Sequence, residues 1–499
     1  MVQILGANQT LARKQWFKQS LNMIEKDLKK AKKGKTQPST IWAGLQLVTG
    51  EEVTTTSDMW VVMKQRTDPS LKKPKCVDGT QISHHQTSKG EIYYVLNNPQ
   101  ANTYLRIDDR DYFLWKHMDG EHTVRDLAVV YFSEFGAFPF DRLVDFLGQL
   151  KTHQLFSEIP EGVFELLDER TTAHNLAYRL QRFSEQATQR EFSLKNADRF
   201  FDTVYQLGGQ LLFTRPALII YGLLILAGMV FFIRELLTGK YPLLSTIGSI
   251  GLGLILLLMI YYVITFFHEC GHALTCKHYG RKVTKGGLLL YMGSPAFFVD
   301  TTDIWMGPKQ ARILVCLAGP LVTLVLGSLM AVLAGLFPTF SFNEVLFKAA
   351  LIGYVSALIN LNPLLELDGY YVLTDWLEIP LLRKKSFTFV RKELPTKIFK
   401  EWSNFSREEK IYSLFGIAAA VFTGFTIVYV AYLWQREIRV MEQDFLSGRN
   451  VLDVIIISGL MLVAGANLIL GLIIKALLFA GERSTQMRKY FQTLRNKAP

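Results

Sequence analysis

Beyond Arg215 the chain repeats a pattern that leaves it few ways to fold: apolar runs long enough to cross a bilayer, separated by basic loops. A helix needs roughly 20 apolar residues to span the hydrocarbon. Backbone groups inside lipid must be satisfied within the protein, so such runs fold as helices. Runs at about 216–233, 245–267, 313–336, 347–366, 411–434 and 452–480 meet this requirement. They predict a mainly α, polytopic six-helix transmembrane bundle over 216–481. From Met1 to Arg215 the sequence is charged and mixed, so the 49% hydrophobic content averages a membrane half with a soluble one.

Lys and Arg orient the bundle, because cytoplasmic loops carry the excess of them. One basic loop holds Lys277, Arg281, Lys282 and Lys285, another from Gly369 to Lys410 holds nine Lys and Arg, and the tail 482–499 carries Arg483, Arg488, Lys489, Arg495 and Lys497. The opposite loops are poorer, with Arg234 and Lys240 in the first, none between Phe337 and Leu346, and Arg436, Arg439 and Arg449 in the last. Both termini are therefore expected in the cytoplasm. The first residues lack the apolar core and small-residue cleavage site of a signal peptide.

The net charge of +11 needs no nucleic-acid partner. Juxtamembrane Lys and Arg gain about 1 kcal/mol each from anionic lipid. The cluster Lys29, Lys30, Lys32, Lys33 and Lys35, in the basic extension 1–75, fits such a lipid contact and equally a solvated helix end. Cys76, Cys270, Cys276 and Cys316 have no pairing pattern, and no structural disulfide is expected.

At the cytoplasmic end of the second run stands His268-Glu269-Cys270-Gly271-His272. Residues four apart share a helix face, so His268 and His272 can occupy two corners of a tetrahedral zinc. Glu269 adjoins them, placed to take a proton from a water that such a metal acidifies to a pKa of about 7. Ionisable groups in a lipid-suited helix are costly, at about 2.5–3.5 kcal/mol per central charge, unless they meet a metal, a partner or water. The bland alternative is a hydrogen-bonded polar cluster at a helix end.

A catalytic zinc takes three protein ligands, and two positions compete for the third. His278 gives a spacing like that of metzincin proteases, but Thr275 stands where a helix-breaking glycine would let it turn back. On a continuing helix six residues rotate about 240° net, away from the metal. Asp368 lies at the cytoplasmic end of the fourth run, which antiparallel topology brings to the same depth. Glu366, two residues earlier, is a weaker substitute.

An HExxH on one membrane helix followed by Asn362-Pro363-Leu364-Leu365-Glu366-Leu367-Asp368-Gly369 on another resembles the site-2 protease family of intramembrane zinc metalloproteases, over about 216–410. The resemblance implies that His268, His272 and Asp368 hold Zn2+, that Glu269 activates water, and that Asn362 contacts substrate. It also implies that the Gly- and Pro-studded stretch 286–300 forms a short β segment beside the site, whose edge could hold an extended substrate. Leu365 replaces the second proline of that motif and bears on how the backbone runs around Asn362. Leu-Leu-Glu-Leu-Asp-Gly-Tyr-Tyr resembles the peptide zinc metalloprotease branch, implying the plasma membrane of a bacterium. Asn362, Tyr291 and Tyr370 are candidates for oxyanion stabilisation. Asp300 and Asp303 could be read as ligands, but Thr301, Thr302 and Asp303 better cap the next helix.

Ahead of the membrane, Tyr93–Leu96 and Tyr104–Ile107 read as strands around a turn. Helices follow at Asp111–Met118, from Thr123 with Asp126 as a capped start, and at 141–153. This order, with Leu114-Trp115 and Asp119-Gly120 leading to Thr123-Val124, resembles the small α+β, winged-helix-type PqqD-like domain that grips leader peptides, here over 76–165. A docking module without a peptide ligand fits equally well. DNA binding is disfavoured, since no basic recognition helix stands out. Residues 166–215 read as an amphipathic helical linker.

These features predict a membrane zinc endopeptidase acting on membrane-embedded or membrane-delivered peptide. The competing class is a catalytically inactive scaffold or accessory subunit for peptide maturation or export. A zinc carrier would spread polar residues through several spans, whereas here they gather at two helix ends.

Overall fold

The structure, a computed structural model, describes residues 69–157, 189–194, 196–241, 249–291, 294–339, 342–397, 405–446 and 452–459. The Lys29–Lys35 cluster, residues 166–188 of the expected linker, most of the sixth apolar run and the tail 482–499 lie outside these residues. The chain divides into two units, Met1–Glu169 and Arg170–Pro499.

In the first unit β1 (Lys75–Cys76), β2 (Gln81–Gln86), β3 (Ile92–Asn98) and β4 (Thr103–Asp108) precede α1 (Asp109–Lys116), α2 (Val124–Phe135), α3 (Phe140–Thr152) and β5 (Phe156–Ser157). Strands β2-β3-β4 form an antiparallel meander with Leu96 opposite Leu105. Alternate residues of β3 and β4 meet Leu114, Leu127, Phe146 and Leu150 from the helices in one apolar core. Thr123 and Asp126 cap α2 reciprocally, as their spacing predicts. The sequence reading missed β2, whose Gln-Ile-Ser-His-His-Gln is a polar edge strand with only partial burial.

The second unit is mostly helical: β6 (Gln189–Ser193), α4 (Ala197–Gln206), α5 (Arg215–Thr238), α6 (Ile250–His278), β7 (Lys285–Tyr291), β8 (Ser294–Asp300), α7 (Lys309–Leu336), α8 (Asn343–Asn360), α9 (Asp368–Leu377), α10 (Leu382–Lys392), α11 (Leu394–Lys397) and α12 (Arg407–Leu446). Among the described residues four helices are long and apolar enough to cross a membrane: α5, α6, α7 and the stretch Arg407–Leu433 of α12. The fourth apolar run forms the shorter α8, which carries Glu344 and a fully buried Lys348 as an i,i+4 ion pair. Helices α7 and α8 meet at glycines: a Cβ on Gly353 would stand 2.8 Å from the Gly327 Cα. Such small residues let backbones approach where lipid offers no hydrophobic drive.

The 286–300 stretch does fold as strands, in a sheet ordered β6-β7-β8. Its third strand corrects the helical reading of 166–215, because Gln189–Ser193 pairs with Gly287–Tyr291. Strand choice in so short a segment is set by its partner rather than by local pattern. The Gly286 carbonyl accepts from Leu194 N–H, so Gly286 faces β6. Its cross-strand partner Val299 therefore turns its own N–H and C=O outward, and Phe297 and Pro295 share that parity. A proline is tolerated there because no ladder bond is lost.

Candidate metal centre

Helix α6 places His268 and His272 on its buried face against α7. The helices approach closely because Gly271 and Gly319 stand at the crossing. A Cβ on Gly271 would lie 2.8 Å from Val322, and one on Gly319 would overlap both imidazole Nε2 atoms. Asp368 opens α9. Gly369 permits the tight turn before it, since a Cβ there would collide with the Leu361 backbone.

The three side chains converge across 100 residues of sequence. His268 Nε2 lies 3.0 Å from Asp368 Oδ2, His272 Nε2 lies 3.4 Å from Asp368 Oδ1, and the two Nε2 atoms are 3.1 Å apart. The outer nitrogens are already committed. His272 Nδ1 lies 2.6 Å from the Val315 carbonyl, which can only accept, so Nδ1 carries the proton. His268 Nδ1 lies 2.9 Å from Thr323 Oγ1, whose own proton goes to the Gly319 carbonyl at 3.0 Å. Both Nε2 atoms consequently present lone pairs to each other and to a carboxylate. A cluster of acceptors this tight requires a cation at its centre, a proton on one ring or a metal. Two imidazole nitrogens and one carboxylate oxygen, mutually in reach, are a fitting donor set for zinc with a position left open.

Glu269 sits on the side of α6 that meets β8, its carboxylate near the outward-facing backbone of Val299. Asn362 Oδ1 accepts from Leu364 N–H at 2.9 Å in a local turn. Its amide NH2 donors carry no hydrogen bond among the described residues. Leu365 N–H closes the same turn onto the Asn362 carbonyl at 3.3 Å, a bond that proline cannot make.

The remaining candidates lie elsewhere. His278 accepts or donates to Tyr205 OH at 2.9 Å and stacks on Phe213, away from the centre. Glu366 is an exposed carboxylate near Arg383. Tyr370 packs with Ile379, Leu382 and Phe415, its hydroxyl accepting from Arg383 N–H. The Tyr291 side chain lies outside the described ones. Capping is also redistributed: Asp300 accepts from Thr302 N–H, whereas Asp303 binds Arg281 and Lys282 N–H.

Sequence reasoning missed Thr323, the Val315 carbonyl and the clamp on α9. Thr323 was findable, because it lies one helical turn beyond the Gly319 of Ala318-Gly319-Pro320 and so shares its face. The clamp consists of Arg312 Nε to Asp375 Oδ1 at 2.9 Å and Lys309 Nζ to Glu378 Oε1 at 3.0 Å, tying α9 to α7. No local signal pairs those residues.

Over 126 residues the chain is 29% identical to the Bacillus subtilis (strain 168) protein named "Putative peptide zinc metalloprotease protein YydH". The alignment covers 25% of this chain and 49% of that protein, so the chain spans about half the length of the curated relative it matches. No protein-family model and no solved structure matches.

Proposed function

We propose that the chain is an integral membrane zinc metalloendopeptidase of the site-2 protease kind. It hydrolyses peptide bonds of membrane-embedded or membrane-delivered substrates near the cytoplasmic face of a bacterial plasma membrane, with both termini in the cytoplasm. The observation that carries this reading is the convergence of His268 Nε2, His272 Nε2 and the Asp368 carboxylate with both outer ring nitrogens committed. The printed name of the Bacillus subtilis relative supports it.

His268, His272 and Asp368 would hold the zinc, which supplies Lewis-acid polarisation and acidifies water. Glu269 takes the proton of the attacking water and passes it to the departing amine nitrogen. The Asn362 NH2 group donates to the substrate carbonyl as negative charge develops on its oxygen. A helical peptide hides its carbonyls, so the substrate is bound extended, on the outer edge of β8 beside Glu269. The edge of β7 is already filled by β6. The first unit recruits the peptide.

Zinc content per chain in detergent-purified protein tests the reading. One zinc is expected in the wild type, His278→Ala and Glu269→Gln, with loss in Asp368→Ala. Glu269→Gln should keep its metal while hydrolysis falls by about 10²–10⁴. A metal-replete wild type without zinc, or loss confined to His278→Ala, refutes the assignment.

A further inference from the structure

Only one of the two imidazoles is oriented by a replaceable side chain. His272 is held by a main-chain carbonyl, which no substitution at Val315 removes. His268 is held by Thr323 Oγ1, a fully buried hydroxyl on the neighbouring helix. A threonine hydroxyl has one proton and two lone pairs. Because the proton is spent on the Gly319 carbonyl within its own helix, Thr323 can only accept from His268. This fixes both the tautomer and the ring plane. The His268 ring lies on Gly319, which has no Cβ to push it off, and its Nε2 lone pair points at Asp368 and His272.

We infer that Thr323 is the positioning residue of the metal centre: it commits His268 Nδ1–H outward and thereby makes Nε2 a metal donor. The inference rests on the zinc reading above and adds a residue to it. Without the hydroxyl, the Nδ1–H is buried with no acceptor, since His268 is only 6% exposed and Thr323 not at all. The ring then turns toward another acceptor or exchanges its proton to Nε2, and either change removes a metal donor.

Threonine-to-serine and threonine-to-alanine substitutions in the full-length, detergent-purified protein separate orientation from packing, because the two products differ by a single oxygen. Zinc affinity is read by competition with a chelator of known affinity, and the geometry of the centre by the visible bands of the cobalt-substituted protein. T323S should stay within about threefold of wild type. T323A and the near-isosteric T323V should weaken zinc about 10- to 100-fold and shift the cobalt bands. Should T323V fail to fold, the serine–alanine comparison decides alone. Wild-type affinity and spectrum in T323A, or equal losses in T323A and T323S, overturn the positioning role while leaving the zinc reading intact. A wild type without zinc overturns both.

Discussion

Replacing Gly319 by alanine tests the geometry of the centre most directly. The added methyl would stand 2.5 Å from His268 Nε2 and 2.7 Å from its Cε1, against 3.4–4 Å for ordinary contact. Relief requires about 1 Å of movement, either of α7 away from α6 or of the rings out of their planes. Overpacking of this size costs about 1–3 kcal/mol of fold stability. The metal is far less forgiving, because ligand distances hold to about 0.2 Å. A shift several times that tolerance predicts at least a 100-fold loss of zinc affinity, about 2.8 kcal/mol at 1.4 kcal/mol per decade. Gly327→Ala is the control. Its methyl meets Gly353 Cα at 3.3 Å, on the α7–α8 contact, and should cost fold stability alone. Chelator competition and thermal unfolding of the metal-free proteins separate the two effects. Wild-type zinc affinity in G319A, or an equal loss in G327A, refutes the reasoning.

Burial, aided by Asp119, raises the Cys76 thiol to about 12. At pH 8 about one molecule in ten thousand carries the thiolate, and the reactive form grows as pH rises toward 12. Mass spectrometry after iodoacetamide treatment at pH 8 should find Cys76 unmodified in the folded protein and modified in denaturant. Thr123→Ala removes the capping box of α2 and should cost about 1 kcal/mol, read as faster amide exchange in its first turn. Arg312→Leu leaves Asp375 without its buried partner, and a cost of about 3–5 kcal/mol is expected. The double variant with Asp375→Leu should recover part of it in a thermal-unfolding cycle; full additivity would deny the clamp.

What was legible in the sequence follows from the range of the forces that write it. The apolar length of α5, α6 and α7 is a local property set by the bilayer, and the four-residue spacing of His268 and His272 is a local property of the helix. The Thr123–Asp126 cap is likewise contained in four residues. Asp368 was reachable only through a second motif, since nothing near it encodes a partner 100 residues away. Strand β6 was read as helix because its five residues take their conformation from β7. Arg312 and Asp375 are ordinary charged residues until α9 folds onto α7.

With α5 and α6 crossing the membrane as proposed, the pairing of β6 with β7 would also act as a check on insertion. Gln189–Ser193 is made before α5, and Gly287–Tyr291 only after α6. The ladder can close only if both ends of that helical hairpin emerge on one face, which requires an even number of crossings. Should one of the two helices fail to insert, β6 and β7 are stranded on opposite faces and the hairpin β7–β8 keeps a bare edge. Such an edge invites pairing with other chains, so a topological error in the first two helices would surface as aggregation.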